Sequence, residues 1–325
     1  MKIKSIILWA LILTLLLLLS GCSPESKTSI DKSVAQTSEE SGPPTKVFSP
    51  ELLPEERESI TLGKLSPDHE FYDDVTSFDP ACAEYIQELS IYDAEIDDTF
   101  IVHISLPPDY EENQDYPMVV ITDGIWRLSD HPELRPMMVS GEIQPVILVS
   151  VGYPNGYDYE KIRVRDLVND PESYLHFIAD NLVPYLSEIF PVDSEDMTLA
   201  GHSYGGYFTF YAMYNSDTIG RNLFKNYYIG SPAFDTATGS MQIDDYEEAY
   251  YKRNASLNCN VYVCVGKNEP ASFKEPITSF ISVMNSKNDP GLVLEYEIIE
   301  GYGHNTVFKP SIRTALLMFY GTEEA

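Results

Sequence analysis

The residues best suited to chemistry lie in the stretch MTLAGHSYGG at positions 197–206. An apolar run ends there at the pattern Gly-x-Ser-x-Gly, and a second apolar, aromatic run follows directly. A serine on a sharp turn between a strand and a helix can present its hydroxyl as a nucleophile, and glycines on either side remove the Cβ atoms that would clash. The pattern alone is weak evidence, but its position between a predicted strand and a predicted helix favours Ser203 as a nucleophile over a structural serine.

A serine nucleophile needs a base, and His304 is the histidine in the expected place. A serine hydroxyl is a poor nucleophile until a neighbouring group takes its proton. Among the six histidines of the chain, His304 follows the last predicted strand and precedes the final predicted helix. His202 neighbours the serine, but it points off the other side of the turn and is interpreted as structural.

The acid that would orient this histidine is expected after the penultimate predicted strand, which ends at residue 266. Glu269 is the only carboxylate in the segment KNEP that follows. A glutamate can hold the imidazole and stabilise its cation as an aspartate does. Two alternatives remain open, which are Asp235 after the preceding strand and a Ser–His pair without an acid.

The tetrahedral intermediate of acyl transfer requires two backbone N–H donors. One is expected from Tyr204, directly after the nucleophile, and the other from Ile125 in the segment DGIW at 123–126. Gly124 would let the chain turn so that the N–H of Ile125 faces the developing oxyanion. Since an Asp-Gly pair is also typical of a simple turn, the prediction depends on its position after an apolar strand.

The elements that must position these residues follow from alternating apolar patterns. Runs typical of buried parallel strands occupy residues 117–122, 145–151, 197–201, 226–230, 260–266 and 292–299. Segments 85–91 and 100–105 predict an antiparallel pair before them. Helices are predicted from Asp170 onward, with an interruption at Pro184, and over residues 204–215, 275–286 and 310–320. The alternation predicts an α/β fold with a mostly parallel sheet of about eight strands, an antiparallel N-terminal strand pair and helices on both faces.

The N-terminus predicts export and lipid anchoring. Lys2 and Lys4 precede an apolar run over residues 6–19, and the tetrapeptide LSGC at 19–22 resembles a bacterial lipobox. Residues 1–22 are therefore interpreted as a signal peptide with a lipobox. Cys22 would carry the lipid that anchors the chain to the bacterial cell membrane, with the domain outside the cytoplasm. An uncleaved anchor helix is the alternative.

The remaining chain divides by composition. Residues 23–65 are rich in Ser, Thr, Glu and Pro and have no apolar periodicity, which predicts a disordered tether. Residues 66–325 form the predicted α/β domain. Within it, the segment 234–254 does not fit a regular covering helix, and we interpret it as a cap-like insertion over the site.

Charge and cysteine spacing argue against several classes of function. Acidic residues outnumber basic ones 51 to 21 and give a formal net charge of −30, which disfavours binding to nucleic acid or to an anionic membrane surface through a basic patch. The cysteines that follow the lipobox lack CxxC spacing, so Cys82, Cys259 and Cys264 are interpreted as buried free thiols. No metal and no cofactor is expected.

Several stretches together resemble the esterase D and enterochelin-esterase-like branch of the α/β-hydrolases. The matching stretches are HISLPPDYEENQDYPMVVITDG (103–124), VSVGYPNG (149–156), RVRDL (163–167), LAGHSYGGYFTFYAM (199–213), YIGSPAF (228–234), VYVCVGKNEP (261–270) and GYGHNTV (301–307). The resemblance implies Ser203 as the nucleophile, His304 as the base, and Ile125 and Tyr204 as the oxyanion donors.

The resemblance also implies further contacts with a substrate. The Arg–Asp element of the family matches Arg165 and Asp166. Arg165 is expected either to bind a substrate carboxylate or phenolate or to form a structural ion pair. By their aromatic character, and not through the resemblance, Trp126, Tyr153, Tyr204 and Tyr302 are further candidates for contact with an aryl or phenolic acyl group. The alternative is that a chain with 23 tyrosines places some of them beside any cleft. Gly124 is also a candidate for substrate binding.

The predicted function is that of a serine esterase acting through an acyl-enzyme on small-molecule or glycan esters. Extracytoplasmic acylated sugars, siderophore esters and aryl esters are the expected substrates. The same Ser–His machinery would serve an acyltransferase, in which a sugar or lipid hydroxyl replaces water. A third interpretation is a non-catalytic binding lipoprotein, against which the intact Ser203 and His304 count.

Overall fold

The computed structural model of the protein describes residues 61–65, 80–236 and 243–322. The predicted signal peptide, its Cys22 and residues 23–60 of the predicted tether lie outside these ranges. Within the described ranges, no helix combines the length and the apolar content that a membrane span requires.

A single nine-stranded sheet organises the described part of the chain, in the order β1-β2-β3-β5-β4-β6-β7-β8-β9. Its strands are β1 Thr61–Lys64, β2 Ile86–Asp93, β3 Asp98–Ser105, β4 Tyr116–Ile121, β5 Ile147–Gly152, β6 Val192–His202, β7 Asn226–Gly230, β8 Asn260–Gly266 and β9 Val293–Ile299. Strands β4 to β9 pair in parallel, and β1, β2 and β3 pair antiparallel. The predicted mostly parallel sheet with an antiparallel N-terminal pair is confirmed.

Helices cover both faces of this sheet, as predicted. They are α1 Gly124–Arg127, α2 Asp130–Val139, α3 Tyr159–Val164, α4 Pro171–His176, α5 Val183–Ile189, α6 Tyr204–Tyr214, α7 Ile243–Arg253, α8 Ala271–Ser286 and α9 Phe308–Tyr320. The larger core lies between the sheet and helices that include α4, α6, α7 and α8. The smaller core lies between the opposite face and helices α2 and α9. Strands β4, β5 and β7 are buried along their whole length because both faces are covered.

The predicted tether extends too far, because β1 lies inside residues 23–65. Thr61 to Lys64 pair antiparallel with Ser90 to Gln87 at the edge of the sheet, and all four side chains are exposed. An edge strand of this kind is held by backbone hydrogen bonds and needs no apolar periodicity. The sequence pattern therefore carried no signal for it.

The helical stretch after Asp170 shows how the chain accommodates a proline. The Asp170 carboxylate accepts a hydrogen bond from the Ser173 N–H at 3.2 Å and caps the start of α4. A π-helical turn over Phe177–Leu182 separates α4 from α5, which contains Pro184 near its start. Because proline lacks an N–H, the predicted interruption takes the form of this widened turn.

The predicted cap over residues 234–254 is wrong for the described part of that segment. Helix α7 packs on α6, where the ring of Tyr246 meets Phe210 and Tyr211 at centroid distances of 5.8 and 5.6 Å. Its fully buried residues are Glu247 and Tyr250, and an acidic residue among the buried positions concealed the helical periodicity. Among the described residues of this segment, Asp235 alone lines the cleft described below.

The three cysteines of the described residues are buried free thiols, as predicted. Burial raises the pKa of Cys264 to about 11. A thiol in such surroundings stays protonated and unreactive at neutral pH.

Candidate active site

Ser203 occupies a strained turn between β6 and α6. Its backbone has φ 62° and ψ −118°, a region that residues with a Cβ rarely adopt. The Ser203 N–H donates to the Gly230 carbonyl at 2.9 Å, and the Ser203 carbonyl accepts from Tyr207 and Ala233 at 3.0 Å each. These bonds to β7, to the loop after it and to α6 hold the turn in place against the strain.

The glycines around Ser203 are required by close backbone approach. A Cβ atom on Gly201 would lie 2.0 Å from the carbonyl oxygen of Gly205, and one on Gly205 would lie 2.2 Å from Thr122 Oγ1. The contact at position 201 is with backbone, so the turn requires glycine there, whereas a Cβ at position 205 would force the side chain of Thr122 to shift.

The structure brings Ser203, His304 and Glu269 together in one chain of hydrogen-bonding contacts. His304 Nε2 lies 2.9 Å from Ser203 Oγ, and His304 Nδ1 lies 2.9 Å from Glu269 Oε2. Glu269 follows β8 and His304 follows β9, where the sequence predicted the acid and the base. Asp235, the alternative acid, lines the same cleft, but the carboxylate that contacts His304 is that of Glu269.

Glu269 is buried and well supplied with donors. Its Oε1 accepts hydrogen bonds from Ser231 Oγ at 2.6 Å and from the Gly266 N–H at 2.7 Å. Burial acts to raise the pKa of Glu269, but hydrogen bonds from His304, Ser231 and the Gly266 N–H outweigh it and hold the pKa below its ordinary value.

The ionised carboxylate determines the tautomer of His304. An ionised carboxylate can only accept hydrogen bonds, so His304 Nδ1 carries the proton that Glu269 Oε2 receives. His304 Nε2 is then left with its lone pair directed at the Ser203 hydroxyl. The arrangement can therefore remove the proton of Ser203 as the oxygen attacks.

The two predicted oxyanion donors lie in the first turns of two helices. Ile125 is in the first turn of α1, and Tyr204 begins α6. The Thr122 N–H donates to the Ala200 carbonyl at 3.0 Å, which joins the end of β4 to the strand that carries the nucleophile. N–H groups in the first turn of a helix have no acceptor within their own helix, so both can bind an oxyanion.

Arg163 supports this region, and the sequence analysis did not identify it. Its Nε and Nη2 donate to the two carboxylate oxygens of Asp123 at 2.8 Å each, and both side chains are buried. Its guanidinium also lies 4.8 Å from the ring centroids of Trp126 and Tyr204. Arg163 thus contacts both segments that carry the predicted oxyanion donors. The stretch RVRDL at 163–167 contains both Arg163 and Arg165, but the family resemblance matched its Arg–Asp element to Arg165.

The predicted substrate contacts of Arg165 and Tyr153 are corrected by the structure. Arg165 pairs with Asp98 at 2.6 Å and with Asp166 at 2.6 Å, which is the structural ion pair left open above. The Tyr153 hydroxyl donates to Asp166 at 2.9 Å, and the residue is buried. Neither residue lines the cleft at Ser203, and both contribute to an ion-pair and hydrogen-bond network around Asp166.

The other candidates divide between the cleft and its surroundings. Trp126 and Tyr204 line the cleft. Gly124 instead packs against β5, where a Cβ atom would lie 2.8 Å from the Gly152 nitrogen. Tyr302 is exposed and does not line the cleft. Its carbonyl accepts a hydrogen bond from the Asn268 N–H at 2.9 Å, which joins the segment that carries His304 to the segment that carries Glu269.

The cleft at Ser203 has a volume of about 790 Å³ and a mixed lining. Its aromatic residues are Trp126, Tyr204, Phe273 and Phe308, and its charged residues are Asp123, Arg127, Glu160, Arg163, Asp235 and Lys309. The ring of His202 lies 4.7 Å from that of His304. Burial, with Arg127 and His304 nearby, holds the pKa of His202 well below its ordinary value, so His202 stays neutral beside the base.

Comparison with known proteins places residues 94–309 in the family described as "Putative esterase". The structure is similar to the BES protein from Bacillus cereus, with a TM-score of 0.65 and 22% identity over 73% of this chain and 95% of that one. It is also similar to the siderophore hydrolase EstA from Aspergillus nidulans, with a TM-score of 0.62 and 15% identity over 76% and 98% of the two chains. An IroE-like serine hydrolase from Shewanella oneidensis gives a TM-score of 0.60 and 17% identity over 72% and 80%. No significantly similar sequence was found among curated proteins.

Proposed function

This chain belongs to the family described as "Putative esterase", and we propose that it is an enterochelin-esterase-like α/β-hydrolase that hydrolyses carboxylic esters as a serine esterase, through an acyl-enzyme intermediate. The observation that carries the proposal is the contact chain from Ser203 Oγ through His304 to Glu269, with 2.9 Å at each step. A nucleophile within hydrogen-bonding distance of a base that is itself oriented by an acid is the geometry that acyl transfer requires.

Acylation begins when Ser203 Oγ attacks the carbonyl carbon of the ester. His304 Nε2 takes the hydroxyl proton, and the Glu269 carboxylate stabilises the imidazolium that forms. The negative charge on the former carbonyl oxygen is held by the N–H groups of Ile125 and Tyr204. When the intermediate collapses, the alcohol leaves with the proton from His304, and the acyl group stays on Ser203.

Deacylation repeats these steps with water. His304 Nε2 takes a proton from a water molecule, whose oxygen attacks the acyl carbon. The second intermediate uses the same two N–H groups, and its collapse releases the carboxylic acid and returns the proton to Ser203. His304 is one-third exposed, so water can reach it from the cleft.

The proposed substrate is an ester with an aryl acyl group or an acylated sugar, including siderophore esters. Aromatic side chains on several sides of the nucleophile can pack against a planar acyl group. Similar structures include proteins described as siderophore hydrolases and as a ferulic acid esterase. A hydrolysis screen over feruloyl, acetyl-xylan and catechol-siderophore esters tests this assignment, and hydrolysis of none of them would refute it.

The proposed mechanism is tested with an activated aryl acetate and a fluorophosphonate probe. Ser203→Ala should lose nearly all turnover and all labelling, because the variant has no attacking oxygen. Ser140→Ala is the matched control, since Ser140 is an exposed serine directly after α2 whose hydroxyl donates to the Met137 carbonyl and to Glu142. Undiminished turnover in Ser203→Ala would exclude the mechanism. Loss of the acyl group to an added sugar or lipid alcohol in preference to water would indicate an acyltransferase.

We further propose that the enzyme is exported and anchored by lipid at Cys22. The support is the order of a basic segment, an apolar run and LSGC at residues 2–22. In bacterial cells, the wild-type protein should partition into detergent and occur in the membrane fraction, whereas Cys22→Ala should not incorporate a labelled fatty acid. Equal incorporation in both would refute the anchor.

A further inference from the structure

Ser231 lies outside the Gly-x-Ser-x-Gly motif, but it combines full burial with a positive φ angle. It directly follows β7, is fully buried and has φ 37°, a backbone conformation that favours glycine. Its N–H donates to the Cys264 carbonyl of β8 at 2.8 Å, and its Oγ donates to Glu269 Oε1 at 2.6 Å. The strained backbone therefore directs the hydroxyl at the acid that contacts His304.

The residues on either side of Ser231 hold the nucleophile. The carbonyl of Gly230 accepts from the Ser203 N–H at 2.9 Å, and the N–H of Ala233 donates to the Ser203 carbonyl at 3.0 Å. The short segment 230–233 thus binds the backbone of the nucleophile at both ends and the acid through one side chain. It connects Ser203 to Glu269 by a route that does not pass through His304.

We propose that Ser231 is a positioning residue for Glu269, which sets the carboxylate so that Oε2 points at His304 before substrate binds. The inference rests on the proposed serine esterase function and assigns a further residue to it. Among the described residues, the other donor to Oε1 is the Gly266 N–H, and with that bond alone the carboxylate could rotate about its last bond. A second donor from a different strand removes that freedom and leaves Oε2 for the imidazole.

The loss of the hydroxyl has a specific expected effect. A hydrogen bond to a buried, charged acceptor contributes more than a neutral one, so Ser231→Ala should reduce kcat about 3- to 30-fold with little change in KM. Among the described residues, the titratable groups that face Glu269 are His304 and, from β8, the thiol of Cys264. Since Ser231 helps to lower the pKa of Glu269, the acid limb of the kcat profile should move to higher pH in the variant.

Two variants separate positioning from backbone strain. Ser231→Ala removes the hydroxyl and keeps the strained backbone, whereas Ser231→Gly removes the hydroxyl and suits the positive φ. If Ser231 acts through Glu269, both variants should lose kcat to a similar extent and shift the profile, while Ser231→Gly melts at or above the temperature of Ser231→Ala. Ser311→Ala is the control, since it also removes a buried serine hydroxyl with a 2.6 Å contact, here to Tyr228.

A double-variant cycle completes the test. In the Glu269→Ala background, Ser231→Ala should cause no further loss of kcat, because the group that it positions is gone. An equal loss of kcat in the wild-type and Glu269→Ala backgrounds would overturn the proposal. So would a Ser231→Ala variant whose kcat is within about twofold of wild type and whose pH profile is unshifted. Failure of the proposed function is a different result, namely wild-type turnover in Ser203→Ala.

Discussion

Replacement of Glu269 by Gln tests how the acid acts, because the structure predicts which way the new amide must point. The Ser231 hydroxyl and the Gly266 N–H both donate hydrogen bonds to Oε1 of Glu269. The Gln oxygen must stay there to accept them, so its NH₂ group takes the place of Oε2 beside His304 Nδ1. That NH₂ can only donate, which obliges Nδ1 to accept and moves the imidazole proton to Nε2.

A His304 tautomer with its proton on Nε2 should lower kcat strongly. A proton on His304 Nε2 faces Ser203 Oγ, so the base can no longer take the hydroxyl proton. Reversal of the tautomer would leave a buried amide N–H without an acceptor, and the imidazolium also loses its counter-charge. We expect kcat to fall about 10²- to 10⁴-fold, or about 3–5 kcal/mol, comparable to the loss known for triad acids in serine proteases. Turnover of an activated aryl acetate at pH 8 measures it.

Truncation of the same residue provides the decisive comparison. Glu269→Ala leaves His304 free to adopt either tautomer, so it should retain at least as much kcat as Glu269→Gln despite the larger structural change. Melting temperatures confirm that both variants are folded at the assay temperature. A Gln variant within about threefold of wild type would indicate a Ser–His dyad or Asp235 as the acid. A Gln variant more than about tenfold above Ala would refute the tautomer argument.

Three further predictions concern the surroundings of the site. Arg163→Lys keeps the charge but loses the paired bonds to Asp123, so kcat and the affinity for a boronic acid inhibitor should fall together by about tenfold or more; a change in KM alone would contradict this. Gly201→Ala should lower the free energy of unfolding by at least about 2–3 kcal/mol in chemical denaturation, because its Cβ meets a carbonyl oxygen, and an unchanged value would contradict the clash. Burial raises the pKa of Asp130 to about 6, so the folded protein favours the protonated carboxyl and loses stability as pH rises from about 4 to 6. Asp130→Asn should therefore be more stable than wild type at pH 8 by up to about 3 kcal/mol and no more stable at pH 4, and equal curves would contradict this.

The strands and most helices were predictable because their signal is local. Strands β4, β5, β7 and β8 and the second half of β6 are short apolar runs. Helix α9 was predicted at 310–320 and observed at Phe308–Tyr320. Strand β1 was not predictable, because its side chains are exposed and its pairing with β2 is a property of two backbones. Helix α7 was missed because tyrosines and acidic residues obscure its apolar face.

The site shows the same division. The order of Ser203, Glu269 and His304 along the chain, each after a predicted strand, was sufficient to nominate them. The same method nominated Arg165 and Tyr153 for the cleft, although both belong to a network around Asp166. Arg163 and Arg165 are two residues apart, about 200° around a helix, so their side chains point to opposite sides, and the sequence does not show which of the two contacts Asp123.

The sequence by itself determined the type of fold and the candidates for nucleophile and base. Strand periodicity, the order of residues along the chain and the glycines of a tight turn can all be recognised without knowledge of tertiary contacts. Only the tertiary structure decided that Glu269, rather than Asp235, contacts His304, that Arg163 holds the loop of Asp123, and that Ser231 supports the acid. Each of these depends on groups from segments far apart in the chain meeting within about 3 Å, the range of a hydrogen bond. Such distances are set by the packing of the whole sheet and its helices, and no local sequence pattern determines them.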